Sequence, residues 1–157
     1  MRVLTSMAAV LSSSISFSAA VPYPRANIPS ELAIAGFTAS TESVDPAAHF
    51  TFNVSGGEAS TTCSFDGPSA DGGLLPDVAW RGCDDAAFQW QFRYEPSRPG
   101  SSGPYLLVVT YQADAQTGRR VGGFKEWQAS VFPIEETSDG TTQAYKGDAD
   151  FSITNLS

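Results

Sequence analysis

Few residues in this chain have chemistry that reaches beyond packing. Asp84 and Asp85 stand side by side at the entry to an aromatic run, and Glu95 stands at its far end. Two carboxylates so placed are the equipment of a general acid and a general base, as in a small glycoside hydrolase, provided they converge to within about 10 Å. Neighbouring residues on an extended chain point to opposite faces, however, so Asp84 and Asp85 read better as turn and capping residues. His49 is the single histidine. With no second histidine and no free cysteine to join it, it founds neither a zinc site nor a nucleophilic triad. Nucleotide loops, EF-hand spacing and metalloprotease motifs do not occur. No catalytic residue, metal ligand or cofactor is therefore assigned.

Two other residue classes carry more. Cys63 and Cys83 are the only cysteines, and they lack metal-type spacing, so in an exported chain they are expected to pair with each other. Closing a loop of about 20 residues stabilises a fold by roughly 3 kcal/mol in the chain-entropy model. The rings are the second class: three tryptophans and five tyrosines. Flat rings on a β face stack on sugars or on planar ligands. Phe88, Trp90 and Phe92 are assigned to the core. Trp80 and Trp127 are the candidates for a binding surface, together with Asp71, Asp77 and Arg98 in the loops nearby.

These side chains need a scaffold, and the run Phe88–Tyr94 supplies its centre. Phe88, Trp90, Phe92 and Tyr94 alternate with Gln89, Gln91 and Arg93, the period of a strand buried on one face. Tyr105–Tyr111 is apolar on both faces and reads as a central strand beside it. Upstream, Glu31–Ala39, His49–Val54 and Ala59–Phe65 are strand-like, the last two joined as a hairpin through Ser55-Gly56-Gly57. Asp66–Asp77 and Glu95–Pro104 are rich in turn formers and read as surface loops. Arg120–Phe132 supplies a further strand or pair with Gly122-Gly123 as a bulge or bend. Glu135–Gly140 reads as an acidic turn, and Thr141–Tyr145 and Asp148–Thr154 as closing strands. The expectation is an all-β fold, an antiparallel β-barrel or β-sandwich of about eight or nine short strands with one disulfide.

The first 20 residues have the form of an export signal: Arg2, a moderately apolar run, then Ser18-Ala19-Ala20 at the cleavage point. Residues 21–30, with three prolines, read as an extended arm, and 31–157 as a single domain. No stretch approaches the roughly 20 apolar residues of a spanning helix. The formal net charge is −8, and loss of Arg2 deepens it. Such a surface repels phosphate, which argues against nucleic acid and anionic membrane as partners. Asn53-Val54-Ser55 is a glycosylation acceptor, and Asn53 lies on the solvent side of its strand if Phe50, Phe52 and Val54 face the core.

Taken in order, Thr62-Cys63-Ser64-Phe65, Val78-Ala79-Trp80-Arg81-Gly82-Cys83, Phe88-Gln89-Trp90-Gln91-Phe92 and the apolar Leu106–Val109 resemble a family of secreted fungal proteins, the major allergen of Alternaria and the elicitor-type proteins similar to it. The close matches fall within 63–109. The resemblance implies a compact β-barrel without enzymatic activity, exported by a fungus and acting at a host surface as effector, elicitor or allergen. Its implied partner is a host extracellular (apoplastic) protein or a small planar ligand. The family's extra N-terminal cysteine and second cysteine pair are missing here, so a covalent dimer is not expected. Two other readings stand beside this one: a carbohydrate-binding module, which needs exposed coplanar rings, and a small secreted hydrolase, which needs converging carboxylates.

Overall fold

The computed structural model describes residues 28–44, 46–114 and 116–157. The expected export signal and most of the expected arm lie outside these residues. Ten strands, all paired antiparallel, form two four-stranded sheets and a small hairpin. The first sheet has the order β10-β1-β2-β3, built from β1 (Leu32–Thr41), β2 (Ala47–Gly56), β3 (Ala59–Pro68) and β10 (Phe151–Ile153). The second runs β4-β5-β6-β7, from β4 (Val78–Gly82), β5 (Phe88–Tyr94), β6 (Tyr105–Gln112) and β7 (Arg120–Trp127). The remaining pair is β8 (Ile134–Thr137) with β9 (Gly140–Gln143). This is the expected all-β architecture, in its sandwich-like form and with ten strands rather than eight or nine.

Alternation explains why these segments pack face to face. On β2, Ala48, Phe50, Phe52 and Val54 are buried while Thr51 and Asn53 are exposed, and on β5 Phe88, Trp90 and Phe92 are buried. The two inner faces meet ring to ring, with centroids 4.9 Å apart for Phe50–Phe92 and 5.2 Å for Phe52–Trp90. Each such ring removes on the order of 150–250 Å² from water, so the interlocked set dominates the core.

Two expectations change against the structure. The acidic segment 135–140 forms the β8–β9 hairpin, its strands paired from Ile134↔Gln143 to Thr137↔Gly140. Gly122-Gly123 makes no bulge, since β6 and β7 pair without a shift from Tyr105↔Trp127 to Gln112↔Arg120. Glycine is needed there for clearance: a Cβ on Gly122 would lie 2.6 Å from the Thr110 methyl, and one on Gly123 2.5 Å from Ile153. The bulge that does occur in the first sheet is in β1, where the register slips between Ala35 and Thr38. Gly36 takes a φ of 66° there, and its N–H donates to Asp150 Oδ1 at 2.8 Å.

Both open sides of the sandwich are tied. On one, Cys63 of β3 is bonded to Cys83 just after β4, and the Asp84 N–H donates to the Thr62 carbonyl at 2.9 Å. On the other, the segment after β10 reaches β7, where Gly122 and Ser157 exchange two backbone hydrogen bonds of 2.9 and 3.2 Å.

Candidate surface on the outer face of the second sheet

The outer face of the second sheet is built by the residues opposite the core positions. β5 places Gln91 there, and register carries the row through Val108 on β6 to Phe124 on β7. On the other side of Gln91 the β4–β5 pairing is irregular. Val78 pairs with Phe92 and Arg81 with Trp90, so Ala79 and Trp80 together oppose Gln91. That bulge turns Trp80 outward. Trp80 is 48% exposed and Phe124 42%. The two rings, with Val108, Thr110 and Arg120, border a groove of about 270 Å³. Trp80 and Phe124 sit three strands apart, about 14 Å at the usual sheet spacing.

Polar groups along this row are unevenly satisfied. Gln91 is only 8% exposed and its Oε1 has no hydrogen-bond partner among the described residues. Arg120 is anchored through carbonyl and hydroxyl oxygens. Its Nη1 donates to the Ala87 carbonyl at 3.1 Å and to Thr110 Oγ1 at 3.3 Å, and its Nη2 to the Ala86 carbonyl at 3.3 Å. At the other margin the Arg98 guanidinium lies 5.7 Å from the Phe124 ring centre, within cation–π range.

The other residues singled out in the sequence fall into place differently. Trp127, expected beside Trp80 as a surface ring, is 7% exposed. β7 turns it inward, where it stacks on Phe37 at 5.3 Å and meets Phe132 and Phe151 edge-on. Its edge alone reaches a second groove, of about 280 Å³, between the end of β7 and Tyr145 to Phe151. Arg98 is a clamp: it pairs with Glu126 and with Glu95, 3.6 Å away, and Ser102 donates through N–H and hydroxyl to Glu126 Oε2 at 2.9 and 2.8 Å. The loop 95–104 is thereby fastened to β7, and the two carboxylates drawn together there are both engaged by Arg98. Asp77 accepts the Tyr94 N–H at 2.7 Å. Tyr94, expected to face the core, is 47% exposed at the end of the sandwich. Of the expected loop 66–77, residues 66–68 extend β3 in register with β2, and Asp71 is exposed at the tip of what remains, 69–77.

Asp84 and Asp85 act as turn residues. The Asp85 carboxylate accepts the Ala87 N–H at 2.8 Å, and the Asp85 N–H donates to Thr61 Oγ1 at 2.8 Å. His49 sits between Asp66, 2.6 Å from Nδ1, and Glu42, 3.4 Å from Nε2. The Asp66 hydrogen bond, reinforced by both negative charges, raises its pKa above the ordinary 6.5. Among the described residues, no group of three or more His, Cys, Asp and Glu is placed to hold a metal ion, and no helix is long and apolar enough to cross a membrane. Asn53 is exposed, and its Oδ1 accepts the Thr62 hydroxyl at 2.8 Å across the β2–β3 pair.

One buried polar residue gave no sign of itself in the sequence. Gln143, 1% exposed, donates from Nε2 to the Tyr105 hydroxyl at 2.5 Å and to the Phe132 carbonyl at 3.1 Å, and accepts the Leu75 N–H at 2.9 Å. It joins the 69–77 loop, the β8–β9 hairpin and β6. Burial raises the Tyr105 pKa, and the hydrogen bond from Gln143 works against that shift.

No family model matches the chain, and no curated protein matches it.

Proposed function

We propose that the protein is an exported, non-catalytic binding protein of the fungal allergen and elicitor type, and that it meets its ligand on the outer face of the second sheet. The observation that carries this reading is the pair of exposed rings, Trp80 and Phe124, that border one groove on a face that folding does not require to be apolar. The disulfide, in a chain that opens with a signal-like segment, supports export. Of the carboxylates that acid–base chemistry would draw on, Asp84 and Asp85 lie at a turn, where Asp85 caps Ala87, and Glu95 and Glu126 share Arg98. On the resemblance, the partner is a host extracellular protein or a small planar molecule. A basic host protein would be drawn to the net charge of −8, with an association rate that falls as salt is raised.

The test is capture from host extracellular fluid by immobilised protein, with the captured species identified, comparing wild type with a Trp80→Ala, Phe124→Ala double variant. A species held by the wild type and released by the double variant supports the reading. Equal capture by both removes this face from it. Hydrolysis of cell-wall polysaccharide that disappears in Asp84→Asn or Asp85→Asn would overturn the non-catalytic assignment.

A further inference from the structure

We infer that Asn53 carries an N-linked oligosaccharide, which stands on the outer face of the first sheet. This rests on the reading of the protein as exported, since the transfer acts on chains entering the secretory pathway. Two stretches have the acceptor pattern, Asn53-Val54-Ser55 and Asn155-Leu156-Ser157. The structure separates them.

The bond forms between Asn53 Nδ2 and the anomeric carbon of the first sugar of a lipid-diphosphate-linked oligosaccharide. The carbon–oxygen bond to the diphosphate breaks, the lipid diphosphate leaves with its electron pair, and Nδ2 gives up one proton. Transfer takes place on the entering chain before the sheets close, so the position of Asn53 within a strand is no barrier to it. What the fold decides is whether the sugar can stay.

Three features allow it to stay. Asn53 is exposed while Phe52 and Val54 on either side of it are buried, so a group on its carboxamide points to water. The second feature is the carboxamide's own bonding. Its Oδ1 accepts the Thr62 hydroxyl at 2.8 Å, and no hydrogen bond engages Nδ2 among the described residues. Attachment takes one hydrogen from Nδ2 and leaves Oδ1 untouched, so the cross-strand bond survives it and fixes the direction in which the sugar leaves the sheet. The third feature is room. Asn53 stands between Ala35 on β1 and Thr62 on β3, and the rows to either side are Thr38–Thr51–Ser64 and Ala33–Ser55–Ser60. None of these side chains is long or aromatic, so a sugar ring meets no wall on this face.

Asn155 is placed otherwise. Its Oδ1 accepts the Phe124 N–H at 3.3 Å and lies over Gly123, and Ser157 beyond it exchanges backbone hydrogen bonds with Gly122. A sugar on Asn155 would have to lie in the groove that this residue lines, against β7. Asn53 is therefore the single site assigned.

The experiment expresses the full chain in a eukaryotic secretory host, once as it stands and once with an unrelated export signal fused ahead of it. Protein from the medium and from cell membranes is weighed by mass spectrometry before and after peptide-N-glycosidase, which removes the sugar and turns the carboxamide that bore it into a carboxylate. We expect a mass that falls on treatment and a new carboxylate at position 53 alone. The fall should be lost entirely in Asn53→Gln, and also in Ser55→Ala, which keeps the asparagine. It should persist in Ser55→Thr and be unchanged in Asn155→Gln. A fused chain that enters the pathway and is bare at Asn53 overturns the inference, and sugar at Asn155 overturns the choice between the two sites. If only the fused chain reaches the medium, the reading of the protein as exported falls, and the sugar on the fused chain decides the inference by itself. If the unfused chain reaches the medium bare, export stands and the inference falls.

Discussion

Across the outer face of the first sheet the rows read Thr38–Thr51–Ser64 and Ala35–Asn53–Thr62, small residues that meet water with hydroxyl, methyl and amide groups. Across the outer face of the second sheet the middle row reads Trp80–Gln91–Val108–Phe124. Both sheets turn the same kind of surface inward, aromatic against aromatic, so the core imposes no difference on their outsides. Folding asks only that alternate residues be apolar and that the others tolerate an extended backbone, which threonine and serine do at no cost in solubility. The first sheet stops there. The second keeps two exposed rings and a buried carboxamide oxygen without a partner among the described residues, features that oppose solubility and stability.

The largest effects should be equal for the two sheets, because they concern the shared inside. Phe92→Ala beneath the second sheet and Phe52→Ala beneath the first each remove a buried ring and should cost about 3–5 kcal/mol, read from denaturant midpoints. A marked inequality would mean that the sheets do not share one core. Next comes the tie between them: Cys63→Ser with Cys83→Ser, or reduction of the bridge, should cost roughly 3 kcal/mol. The purified protein should show no free thiol and no reducible dimer.

Smaller changes separate the outer faces. Gln91→Leu removes the unsatisfied acceptor and should raise stability by about 1 kcal/mol, while Thr51→Val on the first sheet should stay within about 0.5 kcal/mol. A loss of stability in Gln91→Leu would show that the carboxamide is satisfied in solution. The smallest effect belongs to the margin of the first sheet. His49 has a raised pKa in the folded protein, so its contribution is fully present below pH 6.5 and is lost as pH rises through the raised value. His49→Ala should therefore flatten a faint decline in stability between mildly acidic and mildly alkaline pH. A decline that persists in the variant would assign it to another group.

The inward half of this comparison was legible in the sequence. The alternation of Phe88, Trp90 and Phe92 and the hairpin through Gly57 follow from periods of two and from turn chemistry, which are local properties, and Cys63 has only Cys83 to pair with. The outward half was legible only in part. Trp80 and Trp127 look alike as residues, and what separates them is a bulge opposite Gln91 and an unbroken β6–β7 register, neither of which leaves a mark in composition. Gln91 itself alternates like a solvent-facing residue, and its burial is set by neighbours on other strands, which alternation does not show. Gln143 is hidden for the same reason, since its partners Leu75, Tyr105 and Phe132 come from three distant parts of the chain. The acidic run 135–140 reads as a turn because glutamates are poor strand formers, and only pairing with Gly140–Gln143 makes it a hairpin.

The pairing of β1 with β10 has a consequence for the order in which the chain can assemble. Leu32 bonds opposite Ile153, so the first strand must wait for almost the whole chain to arrive before its second edge is filled. β2 and β3, by contrast, close locally, and Cys63 and Cys83 are only 20 residues apart, a loop whose ends meet cheaply. A chain emerging N-terminus first can therefore complete the β1–β2–β3 meander and lock it to the start of the second sheet while the far side of β1 is still bare. Until residues 151–153 arrive, that bare edge is a strand offering its hydrogen bonds to any other nascent copy. Its exposure during synthesis, rather than the finished sandwich, sets the interval in which this protein is open to mispairing.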